Sequence, residues 1–363
     1  MVYVQSFPER EDYLVLQDSL NLMLNWFLDV RSENLDAEGE HRPAEFAAHL
    51  SKVYNLVKYN QEHLDNKAVK SVSQFDPSPY INSEDYEYLK NVLEIRDYFL
   101  QEVRDYFERF ILHGSLATLD YSKGWSDVDI FAVIRDKVMS SPQNLLELRR
   151  KTLILRKMFY NITLFQHHGL MIVTSADLRC YPTHYLPPKV LDFSWEFLPI
   201  EYPVEFYIQP SSDNKVSLER RLMSRKKAVD EAIETGVYKH HPYNGEPLMA
   251  RFKNAENAMY QLFCFLNSVM IMPAFLLDAI GRGCYKKESF TLARPYFSDE
   301  AWSLVDRASR IRSEWELREY NLFHGNAVPE WVMEMLGFDY IEKFSKLLGE
   351  ILLVIEQEHN DEE

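Results

Sequence analysis

Two aspartates stand one residue apart in the run Asp127-Val128-Asp129-Ile130-Phe131-Ala132-Val133-Ile134. After its acidic start the run is continuously apolar, as a strand buried on both faces would be. Side chains at i and i+2 of a strand project from one face, so the spacing predicts that both carboxylates point together while Val128 and Ile130 enter the layer behind. Carboxylates paired in this way suit a hard divalent cation, Mg²⁺ or Mn²⁺, that prefers oxygen ligands. The chemistry such a site serves is phosphoryl transfer, which needs positioning and charge neutralisation more than covalent help. Eleven residues separate Asp127 from Ser115, and Phe110-Ile111-Leu112 just before it is a short apolar run that stops at His113-Gly114-Ser115. Gly114 lets the backbone come close to an anion, and the turn after it offers N–H groups and the Ser115 hydroxyl to phosphates.

An apolar strand ending in Gly-Ser, a spacer of this length, then acid-apolar-acid-apolar resembles the signature of the DNA polymerase β-type nucleotidyltransferase superfamily. The resemblance covers residues 109–135, and more loosely the chain to about 178. The approach Trp125-Ser126-Asp127 also looks like that of its smaller members, and the helical last third is similar in architecture to kanamycin nucleotidyltransferase. The resemblance implies transfer of a nucleoside monophosphate from an NTP, ATP foremost, to a hydroxyl acceptor with release of pyrophosphate. Asp127 and Asp129 would then hold Mg²⁺, and Gly114 and Ser115 the β and γ phosphates.

The resemblance also implies a third carboxylate on a later strand, and here the sequence departs from the pattern. No acid opens the strand expected at 169–174. Glu205, between Val204 and Phe206, is the candidate third catalytic acid, with Asp192 behind it. His167 or His168 is the other option, and at most one of the two, because adjacent strand residues face opposite ways. For the triphosphate the candidate cations are Lys123 in the spacer and Lys287 in the turn Lys286-Lys287-Glu288. The latter resembles a lysine that some relatives project from their helical domain. Arg149, Arg150, Lys151, Arg156 and Lys157 offer further charge on the helix after the second strand. The alternative reading is a catalytically inactive nucleotidyltransferase fold serving as a nucleotide sensor or interaction module.

The elements that must position these groups read as α+β, a small mixed sheet flanked by helices. Residues 1–108 read as a helical region, with helix over 11–70 and again over 84–107, where Tyr88, Leu89, Val92 and Ile95 share a side. Residues 109–212 read as the sheet domain: strands to Leu112 and over 127–134, helix over 140–158 after a Ser-Ser-Pro start, strand over 169–174, and a fourth strand over 203–208. Residues 213–363 read as a helical bundle, with helices over 217–234, 249–280, 299–315 and 329–357. Arg318 and His324 match a spacing found in helical ribonuclease domains, yet six helical steps set them about 240° apart around one helix. His240-His241 lies in a polar, proline-containing loop, a poor metal site.

Bulk properties narrow the partners. The chain has 363 residues, and 46% hydrophobic content with 14% aromatics supports large packed cores. A formal net charge of -16 disfavours duplex DNA, long RNA and anionic lipid, which need clustered Lys and Arg. A small molecule or a protein side chain is the expected acceptor. Three scattered cysteines, Cys180, Cys264 and Cys284, exclude a disulfide framework and a CxxC zinc site and fit a reducing cytoplasm. The N-terminal residues lack the basic start and apolar core of a signal peptide, so a cytoplasmic location is expected.

Overall fold

A computed structural model of the chain describes residues 10–28, 41–61, 64–166, 170–183, 185–199, 202–240, 248–251, 259–319 and 328–362. Its strands are β1 (Lys67–Lys70), β2 (Ser73–Gln74), β3 (Phe107–His113), β4 (Asp129–Ile134), β5 (Leu170–Val173), β6 (Trp195–Glu196), β7 (Val204–Tyr207), β8 (Val237–His240) and β9 (Leu248–Arg251). Five of them form one mixed sheet in the order β2-β6-β3-β4-β5. β3 runs antiparallel to β4 and β6, and β5 lies parallel to β4. β1 with β7 and β8 with β9 form separate two-stranded ribbons.

β3 and β4 lie at the centre because both of their faces are apolar. Phe110, Leu112, Ile130, Ala132 and Ile134 face a core shared with the helices Arg10–Leu28, His41–Tyr59, Tyr86–Tyr98 and Pro142–Phe159. Ile111, Phe131 and Val133 face the other way, against Val173, Tyr181, Val204 and Phe206. The edge strand β5 does not present bare backbone: Asn21 and Asn25 donate to the Ile172 carbonyl (3.0 and 2.9 Å), and the Asn25 side-chain oxygen accepts the Ile172 N–H (2.8 Å). Polar residues on an otherwise apolar helix thereby close the sheet edge against further pairing.

The helices Ser211–Thr235, Met259–Ala279, Asp299–Glu319 and Tyr340–Glu362 gather a second large core. The segment Gln261–Ala279 is long and apolar enough to cross a membrane by length and composition, but 78% of it is buried inside the protein. Trp125, from the spacer between the Gly-Ser turn and Asp127, is fully buried in this core, with ring centroids 4.8 Å from Phe263 and 5.4 Å from Trp315. The spacer is therefore pinned to the helical bundle by one large side chain. Trp125→Ala is expected to destabilise the protein by about 3–5 kcal/mol, read as a lower melting temperature, and to loosen the spacer that carries Asp127.

Several expected elements differ. The helix over 11–70 is two helices ending at Tyr59, followed by strand β1, whose Lys-Ala-Val-Lys alternation pairs with Val-Glu-Phe-Tyr of β7. The second helix ends at Tyr98 and passes through a π turn and a 3₁₀ turn before β3. Residues 248–251 form β9, not helix. The last helix is divided at Gly337, which has φ +77°, into Glu330–Leu336 and Tyr340–Glu362. Helix ends with clear signals fall where expected: Ser141 accepts the Asn144 N–H as N-cap, and Gly236 stops its helix in the left-handed conformation.

Candidate functional site

β3 delivers His113 to the sheet's end, and the chain turns at once into the short helix Gly114–Ala117. Gly114 has φ +73°, and a Cβ placed on it would lie 2.2 Å from Oδ2 of Asp129. Glycine is thus required twice, for the left-handed backbone and because the Asp129 carboxylate lies over it. Asp129 opens β4 directly across from His113. Asp127 lies two residues before it, ahead of the strand.

The backbone between the aspartates is clamped by a residue that periodicity could not single out. Gln166 is fully buried; its amide donates to the Val128 carbonyl and accepts the Val128 N–H, both at 2.9 Å. Arg156 in turn donates to the Gln166 carbonyl (3.1 Å). Gln166→Leu would leave both Val128 backbone groups buried without partners, each costing about 1–3 kcal/mol. The expected result is a lower melting temperature together with loss of whatever binding Asp127 and Asp129 support, measured on the same preparation.

The charges around the pair are uneven. The Asp129 carboxyl is held well above the usual carboxylate range, first by burial and then by the negative charge of Asp127, with Lys286 opposing. His113 is held down to about 4 by burial, against the pull of Asp127, and so is neutral at physiological pH. Lys286, first residue of the helix Lys286–Ala293, is exposed as a residue, and its charge interacts with both aspartates. Crowding by protein and the nearby charge of Arg312 lower its proton affinity, and Asp129 and Asp127 raise it. Tyr285, just before that helix, shares a hydrogen bond with Thr118 (3.2 Å) behind the Gly-Ser turn. Arg312 donates to the Asp120 carbonyl (2.6 Å), and Ser122 donates to the Arg312 carbonyl (3.0 Å), tying the spacer to the bundle helix.

The candidates named from sequence fall into two groups. Gly114, Ser115, Asp127 and Asp129 come together at one end of β3 and β4. Lys123 and Lys287 have carboxylate partners outside the aspartate pair. Lys123 is engaged by Asp85 and by Glu316 (3.3 Å), and Lys287 reaches Asp120 (3.3 Å). Lys286, its neighbour, is the lysine that interacts with the aspartates, because a helix start sends consecutive side chains in different directions.

Glu205 is engaged elsewhere as well. Its neighbours Val204 and Phe206 are buried against the sheet, so by strand alternation Glu205 points outward, where it pairs with Lys67 (2.7 Å). Asp192 pairs with Lys70 (2.8 Å). His167, His168 and His324 lie outside the described residues. Arg318 pairs with Glu314 (2.6 Å) and lies 4.9 Å from the Trp331 ring.

The acid that the sheet does place beside β3 is Glu196, opposite Ile111. Its carboxylate accepts the N–H groups of Phe110 (3.0 Å) and Leu198 (3.1 Å) and faces Arg109 (3.6 Å), away from the aspartates. Continuing that register one residue puts Ser194 across from His113, and its hydroxyl donates to the Val190 carbonyl (2.9 Å). Among the described residues no set of three or more His, Cys, Asp or Glu side chains is gathered for a metal. What is gathered is a carboxylate pair whose repulsion a hard dication would relieve, with Lys286 acting on both and Arg312 near Lys286. No family model and no curated protein matches the sequence.

Proposed function

We propose that the chain is a nucleotidyltransferase of the polymerase β type, transferring a nucleoside monophosphate from an NTP to a hydroxyl of a small molecule or protein. The observation that carries this reading is the Asp129 carboxylate lying over the Gly114 turn, with the charges of Asp127 and Lys286 acting on it. Asp127 and Asp129 would hold Mg²⁺ or Mn²⁺, which when bound supplies charge neutralisation along the phosphates. Lys286 and Arg312 then neutralise the triphosphate from the bundle side. The turn after His113 offers Ser115 and backbone N–H groups to its terminal phosphates. Neutral His113 adds no competing positive charge beside the aspartates.

Calorimetric titration of ATP with Mg²⁺ tests this assignment. Lys286→Gln is expected to weaken binding by about tenfold or more, the scale of one charge-assisted contact. Equal affinity in wild type, Lys286→Gln and Asp127→Asn would remove the assignment.

A second reading, a nucleotide-binding module without catalysis, is favoured by one observation. Glu205 and Asp192 are both spent on lysines outside the cluster, and Glu196 is bonded to backbone. A bound nucleotide would then be held with no third carboxylate, among the described residues, to activate an acceptor.

A further inference from the structure

Arg104, Arg109 and Arg135 converge at the opposite ends of β3 and β4 from the aspartates. With Glu108, Leu198 and Tyr202 they line a cavity of about 140 Å³, room for roughly four or five water molecules. β4 separates this cavity from Asp129 by six residues, roughly 20 Å at the rise of a strand.

The three guanidiniums differ in what already holds them. Arg109 is buried and fixed: it donates to the Tyr202 carbonyl, faces Glu196 at 3.6 Å and lies 4.8 Å from the Tyr202 ring centre. Arg104 lies 3.9 Å from Asp105, both side chains largely in water. Arg135 is different. Its backbone is anchored by the Tyr106 carbonyl (2.9 Å), but its Nε is buried without a hydrogen-bond partner, and no described carboxylate lies within ion-pair distance. A guanidinium that lines a cavity without a carboxylate partner suits an oxyanion there, through charge-assisted hydrogen bonds.

The acids nearby do not fill that role. Asp105 is turned to solvent, 88% exposed. Glu108 is half-buried on β3; burial first, then the charge of Asp136, hold its carboxyl above the usual range, with Arg135 and Arg109 pulling the other way, and it forms no ion pair with either. The planar fork of a guanidinium matches the oxygens of a phosphate, and converging arginines beside an aromatic ring suit a compact, multiply charged oxyanion.

We propose that this cavity is a binding site for a small phosphate oxyanion, free or as the phosphate group of a small ester, separate from the aspartate cluster. Arg135 supplies a positive charge with no carboxylate at ion-pair distance among the described residues, Arg109 the fixed positive wall and Arg104 the exposed rim.

The test is calorimetric titration of inorganic phosphate into the full chain at constant ionic strength without Mg²⁺. Saturable binding is expected, weakened about tenfold or more in Arg135→Gln and also weakened in Arg104→Gln. The Arg104 side chain is too exposed for its loss to threaten folding, so that variant decides the matter if Arg135→Gln does not fold. Lys286→Gln should bind phosphate as wild type does, which separates this site from the nucleotide assignment. Glycerol phosphate binding more tightly than the free ion would make the ligand an ester, and weaker binding would make it the ion itself; both support the site. Absence of saturable phosphate binding, or binding that survives the arginine substitutions, overturns it.

Discussion

Asp129→Asn is expected to abolish Mg²⁺-dependent nucleotide transfer, by at least about 10²–10³-fold, the scale of losing one preorganised electrostatic group at a reacting centre. The same change should raise the melting temperature in the absence of metal. The Asp129 carboxyl sits in a partly buried position beside Asp127, and both burial and that neighbour disfavour its charged form. Its folded value is therefore above the unfolded 3.8, so ionising it costs the folded state. The cost begins as pH rises past the unfolded value and is complete above the folded one. The stability advantage of the asparagine variant should accordingly grow as pH rises from 3.8 and shrink on acidification toward it. Mg²⁺ should raise the melting temperature of wild type and leave Asp129→Asn nearly unmoved. Thermal melts with and without Mg²⁺, across pH, read this without any need to know the acceptor. A wild type indifferent to Mg²⁺, melting as the variant does at every pH, would remove the carboxylate pair as a cation site.

Gly114→Val carries the second large effect. A Cβ at this position would meet Oδ2 of Asp129 at 2.2 Å, too close for either group to stay where it is. The left-handed backbone at φ +73° adds about 1–2 kcal/mol of strain for any side chain. The neighbouring strand pairs from Ile111–Phe131 to Phe107–Ile134 do not involve this turn, so the sheet should survive while the Asp129 carboxylate is displaced. Binding of ATP with Mg²⁺ should be lost while the protein still melts cooperatively at a somewhat lower temperature. Calorimetry and a thermal melt on one sample check this, and unchanged affinity would make the turn purely structural.

The unit from β3 to β4 was legible because its physical signals are strong and local. Two apolar runs buried on both faces, a Gly-Ser stop and an acidic strand start need no distant partner to be recognised. The helix bounded by Ser141 and the one ended by Gly236 were readable for the same reason, since caps are written in the residues themselves. β1 was not. Lys67–Lys70 is too short to show a period, and it becomes a strand only by pairing with Val204–Tyr207 far along the chain. That same pairing decided Glu205, whose apolar neighbours fitted an inward-facing site strand equally well until the sheet to which they belong was known. Gln166 follows no motif at all, because a side chain that clamps one distant peptide unit has no spacing rule. Lys286 and Lys287 are adjacent, and only the direction of the helix start separates the one near the aspartates from the one at Asp120. In keeping with its outward ion pair, Glu205→Gln is expected to leave nucleotide binding and turnover at wild-type levels.

Transfer of label from α-labelled nucleotides is the most direct measurement. Wild type and Asp129→Asn are incubated in a cell extract with each of ATP, CTP, GTP and UTP, with Mg²⁺ or Mn²⁺, and the metabolite and protein fractions are counted alongside released pyrophosphate. The account predicts that wild type labels one of these fractions with matching pyrophosphate release, and that Asp129→Asn does neither. Tight nucleotide binding by wild type, with no label transferred from any of the four nucleotides under either metal, would contradict it and leave the non-catalytic module standing.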